Sequence, residues 1–344
     1  MGIVATIFMI VVFPFNSLLV FQQGIKNETQ VKADFSVKEE SIQAIAMKTE
    51  VKKPIEAPKP KAQAVDSPQY QPVRKDGVKD LVIPNAHASV IIDADTGTIL
   101  HYNNGRTQRQ IASLTKLMTA ILVMENIKNL DEEVTIDEEP VYADGTKIGC
   151  PRSGYCISQR LKIGEKITVR SLLQAMLMNS ANDAAIALGK HMAKTQDGFA
   201  DVMNKKATDL GLVDTHFCTP SGLEPDGRES ECFSSAYDIA RIGAYSLRYD
   251  TIWKIARQPN NTIISSADGK IQHTILNTDQ LLDQMPNMIG SKTGFTPLAG
   301  YSLLLVAADP TTKHRAVAVL LDDSTRWTDI RTAIDWTFKS HIWN

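Results

Sequence analysis

The chain has 344 residues, 43% of them hydrophobic and 22% charged, with a formal net charge of -2 at pH 7. That length holds a substantial buried core, and the near-neutral balance leaves no electrostatic footprint for nucleic acid. The cysteines Cys150, Cys156, Cys218 and Cys232 show no CxxC or Cys/His spacing, and the histidines no HExxH, so neither a metal nor a cofactor is indicated and a metallopeptidase lacks a site.

In chain order, residues 1–25 carry no charge and are dominated by Ile, Val, Phe and Leu. The run is long enough for one membrane span, although Pro14 and Asn16 weaken its centre. A cleaved signal segment calls for a basic n-region and a small-residue cleavage site; neither is evident, so an uncleaved transmembrane anchor is the favoured reading. Lys26 and Lys32 follow the span, a mild argument by the positive-inside rule against export of what comes after, which the chemistry below outweighs in favour of an extracytoplasmic domain. Residues 26–79 are rich in Lys, Glu, Gln and Ala, with Pro54, Pro58, Pro60, Pro68 and Pro72 spaced through them. They read as a charged, disordered linker that holds a domain away from the bilayer.

Residues 80–344 read as the folded domain. Residues 88–93 and 98–102 flank an Asp95-Thr96-Gly97 turn and predict a hairpin. Helical periodicity runs over 113–127, 169–178, 184–193 and 199–210. Residues 301–308 and 316–321 are apolar and β-prone, predicting adjacent antiparallel strands, and 328–339 a closing helix. The fold class is therefore α/β of the α+β kind: one antiparallel sheet assembled from both chain ends, flanked by helices, with a helical insertion.

Three short motifs carry chemistry. In Ser113-Leu114-Thr115-Lys116 the i, i+3 spacing makes hydroxyl and amine neighbours on a helix, where a neutral amine could accept the hydroxyl proton. Chance alone supplies roughly one SxxK in a chain this long, and Ser113 could merely cap a helix. Ser180-Ala181-Asn182 sits between two helical stretches, where Ser and Asn commonly punctuate helix ends. Lys292-Thr293-Gly294-Phe295 lies on or beside a strand, offering a cation and a hydroxyl to a carboxylate, with Gly294 letting a ligand backbone approach. A second ammonium near Lys116 would also depress the pKa of that lysine.

Together and in this order, SxxK, SxN and KTG are the signature of penicillin-recognising serine enzymes. The stretches 112–119, 180–185, 215–217, 220–223, 234–238, 277–282 and 290–296 resemble the low-molecular-mass penicillin-binding proteins of the D-alanyl-D-alanine carboxypeptidase family. The resemblance covers about residues 81–336 and implies the DD-peptidase/β-lactamase-like fold. It implies Ser113 as nucleophile and Lys116 as base, with Ser180 relaying a proton and Asn182 holding the substrate amide. Lys292, Thr293 and Arg326 would take a terminal carboxylate, and the N–H groups of Ser113 and Phe295 an oxyanion. The implied partners are peptidoglycan stem peptides ending in D-Ala-D-Ala and, as inhibitors, β-lactams.

Departures from the family pattern are Ala181 for the usual Gly, Thr219 for a common Asn, and the cysteine pairs Cys150/Cys156 and Cys218/Cys232. Four separate buried thiols remain one reading of those cysteines; an exported domain favours two disulfides. Two enzymatic alternatives share the motifs. A D,D-endopeptidase differs only in the bond presented, and the short stretch after the catalytic region is expected to suit either activity. A β-lactamase needs a deacylating glutamate, for which Glu224 is a poor substitute by context. A non-catalytic wall-binding module is disfavoured by the intact motifs.

Overall fold

The computed structural model describes residues 70–152, 154–310 and 314–343. The apolar residues 1–25 and most of the segment read as linker lie outside the described residues. Among the described residues no helix is long and apolar enough to cross a membrane.

Strand β1 (Pro72–Arg74) opens the described chain. It lies inside the stretch read as linker, and so corrects that boundary. It pairs antiparallel with a strand at the opposite end of the chain, Val73 opposite Ile342, and Lys75 N–H donates to Ser340 C=O. A three-residue strand at a charged boundary leaves no periodicity to read; its partner, 270 residues on, creates it.

Strands β2 (Ala88–Asp93) and β3 (Ile99–Asn103) form the expected hairpin. A 3₁₀ turn, Ala112–Thr115, leads into α1 (Lys116–Asn126). The helical insertion follows: β4 (Glu133–Thr135), α2 (Glu138–Val141), β5 (Lys166–Thr168), α3 (Val169–Met178), α4 (Asn182–Ala193), α5 (Gln196–Asp209), α6 (Ala236–Ser246) and α7 (Asp250–Ala256). The small hairpin β6 (Thr262–Ser265) and β7 (Gln272–Ile275) precedes the long strands β8 (Met288–Thr296), β9 (Gly300–Ala308) and β10 (Arg315–Leu321). Helix α8 (Arg326–Ser340) and β11 (His341–Trp343), the partner of β1, close the chain.

The central sheet has the order β3-β2-β10-β9-β8, every pair antiparallel. Alternation along β10 divides the core in two. Val317, Val319 and Leu321 join the cluster under the insertion, while Ala316, Ala318 and Leu320 face Ile330, Ala333 and Ile334 of α8. Those α8 positions recur at i, i+3 and i+4, one helical stripe, and complete burial of each Ile stabilises the fold by roughly 2–3 kcal/mol.

Helix α1 is apolar all round, with Leu117, Met118, Ala120, Ile121, Leu122 and Val123 buried, and it runs through the centre of the insertion. Helix α6 crosses the sheet so closely that a Cβ on Gly243 would stand 2.8 Å from Val317 Cγ1. The two ends of the functional region are thereby fixed, the nucleophile segment at the head of a buried helix and β8 at the sheet edge.

Candidate active site

The residue before the nucleophile, Ala112, is left-handed at φ 48°, and so is Ser180 at φ 58°. Such a backbone in a non-glycine residue costs about 1–3 kcal/mol and persists only where its surroundings hold it. Ser180 is held by Thr146, whose hydroxyl donates to its carbonyl at 2.7 Å. At Ala112 the restraint is steric, because the carbonyl lies against Gly222, where a Cβ would come within 2.0 Å of it. The serine and lysine expected on one α-helix are divided between the 3₁₀ turn and the first residue of α1, and the i, i+3 contact survives that change.

Lys116 is wholly buried, and its Nζ has three oxygen neighbours: Ser113 Oγ at 2.7 Å, Asn182 Oδ1 at 2.6 Å and the Ser221 carbonyl at 2.6 Å. Asn182 is oriented by donating from Nδ2 to the Asp144 carbonyl at 2.7 Å, which turns Oδ1 to the lysine. Oδ1 and the Ser221 carbonyl only accept hydrogen bonds. A neutral amine has two protons and one lone pair. In that form both protons go to the carbonyls and the lone pair faces the hydroxyl of Ser113, whereas the ammonium would donate to all three oxygens. Burial pushes the Lys116 pKa well below the usual lysine value and the Lys292 charge pushes it further, while Asp183 opposes them.

Lys292 reaches from β8 into the same cluster and donates to Ser180 Oγ and to the Thr293 carbonyl, both at 2.9 Å. Burial, then the charge of Arg326, lowers its pKa to about 7. Thr293 shares a 3.0 Å hydrogen bond with Thr278, and Ser291 donates to Asp279 at 2.7 Å, so residues 278–279 brace the strand. Phe295 is half exposed and stacks on Tyr301, with ring centroids 4.5 Å apart.

Gly294 and Arg326 have structural contacts beyond the roles expected from sequence. The open face of Gly294 turns to the nucleophile segment, because a Cβ there would stand 2.8 Å from the Ile111 carbonyl and 3.3 Å from Leu114 Cγ. The glycine admits close packing of β8 on the 3₁₀ turn. Arg326 uses Nη1 to bind the Gly294 and Ser302 carbonyls at 2.9 and 3.1 Å, and its guanidinium lies over the Tyr301 and Trp327 rings. It braces the β8–β9 pair and places a positive charge beside Lys292.

Both cysteine pairs are bonded, Cys150 to Cys156 and Cys218 to Cys232. The second bond encloses residues that touch the site, and the first closes a loop directly after residues 144–148, which touch it too. Asp144, Thr146 and Ile148 hold Asn182 and Asp183, while Pro220 and Ser221 accept from Thr119 and Lys116. Sequence reasoning passed over Asp144 and Ser221 because they act through backbone carbonyls, which any residue carries. It set Glu224 aside by context, yet Glu224 accepts from Thr296 Oγ1 at 2.8 Å, at the end of β8. Asp183 was overlooked as well. It is completely buried, accepts from the N–H groups of Ile148 and Ala184, and its pKa is raised by burial to about 7.

A serine facing a buried amine, with a second serine held by a lysine from a sheet edge, is an arrangement able to support serine acyl transfer on a mixed α/β scaffold. The chain belongs to the D-alanyl-D-alanine carboxypeptidase family, whose sequence model matches residues 78–325. It is 31% identical over 263 residues to the D-alanyl-D-alanine carboxypeptidase DacF of Bacillus subtilis, covering 74% of this chain and 63% of that protein. Against DacA of Escherichia coli K12 it is 31% identical over 260 residues, covering 74% and 61%. The chain thus spans somewhat under two thirds of the length of these relatives. The D-alanyl-D-alanine carboxypeptidase structure from Mycobacterium tuberculosis H37Rv superposes with a TM-score of 0.67 at 28% identity, covering 78% of this chain and 96% of that one. Penicillin-binding protein D2 of Listeria monocytogenes, solved in an ampicillin-bound form, superposes with a TM-score of 0.62 at 28% identity, covering 76% and 100%.

Proposed function

We propose that the chain is a serine-type D-alanyl-D-alanine carboxypeptidase acting on peptidoglycan stem peptides through an acyl-enzyme on Ser113. The geometry at Lys116 carries the reading: its buried Nζ stands 2.7 Å from the serine oxygen, and in the neutral amine the two carbonyls take both protons and leave the lone pair to Ser113. Ser113 Oγ attacks the carbonyl between the two D-alanines as its proton passes to Lys116 Nζ. The N–H groups of Ser113 and Phe295 hold the oxyanion. Collapse breaks the C–N bond, and Ser180, backed by Lys292, passes a proton to the departing amine. The second Nδ2 proton of Asn182 is available to a substrate carbonyl, and Lys292 with Thr293 receives the terminal carboxylate. Water then releases the shortened peptide. A β-lactam acylates Ser113 by the same route.

We place this domain outside the membrane, tethered through residues 1–25. The uncharged N-terminal run and two disulfides support that placement, since such bonds persist in oxidising compartments.

Labelling with a fluorescent penicillin tests the nucleophile. The wild type takes label and Ser113→Ala takes none; label surviving on the variant refutes the assignment. Digestion of muropeptides tests the bond, with free D-alanine expected. Loss of cross-links without D-alanine release moves the activity to a D,D-endopeptidase.

A further inference from the structure

The segment between Cys218 and Cys232 has little regular structure beyond one short 3₁₀ turn, Glu229–Glu231, yet it touches three parts of the site. Its Ser221 carbonyl takes one proton of Lys116 at 2.6 Å, and its Pro220 carbonyl takes the hydroxyl of Thr119, one turn along α1, at 2.7 Å. Gly222, at φ 79°, packs on the carbonyl before the nucleophile so tightly that no side chain fits. Glu224 receives the Thr296 hydroxyl from the end of β8.

The conformation that aims the Ser221 carbonyl is set locally. Thr219 Oγ1 donates to the Leu223 carbonyl at 2.8 Å and accepts from Gly222 N–H at 3.0 Å, and Ser221 Oγ accepts from Leu223 N–H at 3.2 Å. At the base, His216 and Phe233 exchange backbone hydrogen bonds, and the disulfide adds a covalent closure one step inside that bridge. Cys218 is buried and Cys232 partly exposed.

We propose that this disulfide-closed loop is a positioning element for the base: by holding the Ser221 carbonyl on Lys116 it fixes which way the amine lone pair points. The inference rests on the proposed acylation of Ser113. With the loop displaced, the amine keeps Asn182 Oδ1 as an acceptor, but its second proton is free to turn toward Ser113, and the lone pair turns away. The loop also excludes water from the amine, so displacement lets the ammonium form more readily. A dithiol would produce that displacement by two-electron reduction. Its thiolate attacks the more exposed Cys232 sulfur, Cys218 leaves as thiolate, and the second thiol of the reductant closes its own disulfide, leaving two protein thiols.

The experiment follows the rate of fluorescent-penicillin labelling from pH 5 to 10 in the full chain. It compares the wild type with Cys218→Ser/Cys232→Ser and with Gly222→Ala, which moves the loop while leaving the disulfide intact. Both variants are expected to label at Ser113 but at least roughly tenfold more slowly at pH 7, with the acidic limb of the profile moved to higher pH. A merely destabilising change lowers the labelled fraction or the melting temperature without moving that limb. Unchanged limbs in both variants overturn the proposal. Should the serine variant fail to fold, an unmoved limb in Gly222→Ala overturns it alone. Absence of label on the wild type would instead refute the Ser113 reading on which it rests.

Discussion

Lys292 donates to Ser180 Oγ at 2.9 Å, joining the third motif to the second across 112 residues of sequence. The bond puts a charged group behind Ser180, as the proposed relay requires, and it places a positive charge near Lys116. The two lysines do different work from similar burial. In the proposed reaction Lys116 offers a lone pair, and Lys292 an ammonium for a carboxylate.

Replacing Lys116 by Arg separates charge from basicity. Arginine stays protonated and has no lone pair for the Ser113 proton. Acylation by penicillin should fall by about 10²–10⁴-fold, the usual contribution of a positioned base. Stopped-flow labelling measures it, and a loss below tenfold removes Lys116 from that role.

The pH profile of kcat/KM should be bell-shaped, with the acidic limb reporting protonation of Lys116 and the alkaline limb loss of the Lys292 proton near pH 7. Arg326 is a like charge that lowers the Lys292 pKa, after burial. In Arg326→Gln that pKa rises, so the ammonium survives to higher pH and the alkaline limb moves up. Lys292→Met removes the like charge felt by Lys116 and should raise the acidic limb. Movement of either limb the other way contradicts these assignments.

Gly294→Ala tests the packing role found for that residue. The added Cβ meets the Ile111 carbonyl, which is backbone and cannot swing aside. The strand must shift from the nucleophile turn by several tenths of an ångström, a displacement that costs activity steeply when reacting atoms depend on it. The expected result is a loss of at least tenfold in labelling rate with a stability change of about 1–3 kcal/mol. Gly243→Ala, within α6, should show a comparable loss in a denaturant melt while retaining the labelling rate, because it crowds Val317 and Leu304 on the sheet away from Ser113.

These contrasts also mark what the amino-acid pattern could disclose. Side chains that carry chemistry at fixed spacing, Ser113, Lys116, Ser180 and Lys292, were legible, because spacing on a helix or strand translates directly into neighbourhood. The central strands were legible for the same reason, as period-two or fully apolar runs. Ser221 and Asp144 were not, since their contribution is a carbonyl aimed by loop geometry. Helix α6 was hidden because it places Gly243 mid-helix, where closeness to the sheet outweighs helix propensity. The four-residue strands β6 and β7 were too short to show a period, and β1 exists only through β11.

Asp183 gives a prediction about stability that is independent of catalysis. Burial raises its pKa to about 7, against the bonds from Ile148 and Ala184 and the charges of Lys147 and His273. In the unfolded chain it titrates near the ordinary aspartate value, so folding takes up a proton between about pH 4 and 7. Stability therefore falls as pH rises through that window and levels off above it. His273 acts in the same direction. Burial lowers its pKa, but the Glu165 carboxylate and the Gln159 carbonyl outweigh that, so its stabilisation is full below the ordinary histidine value and is lost above the raised one. Asp183→Asn keeps an acceptor for the Ile148 N–H and cannot titrate. The stability of the variant relative to wild type should improve by on the order of a few kcal/mol between pH 4.5 and pH 8 in urea unfolding. A difference that does not change with pH would mean that Asp183 is charged throughout, with Lys147 and His273 outweighing the cost of burying it.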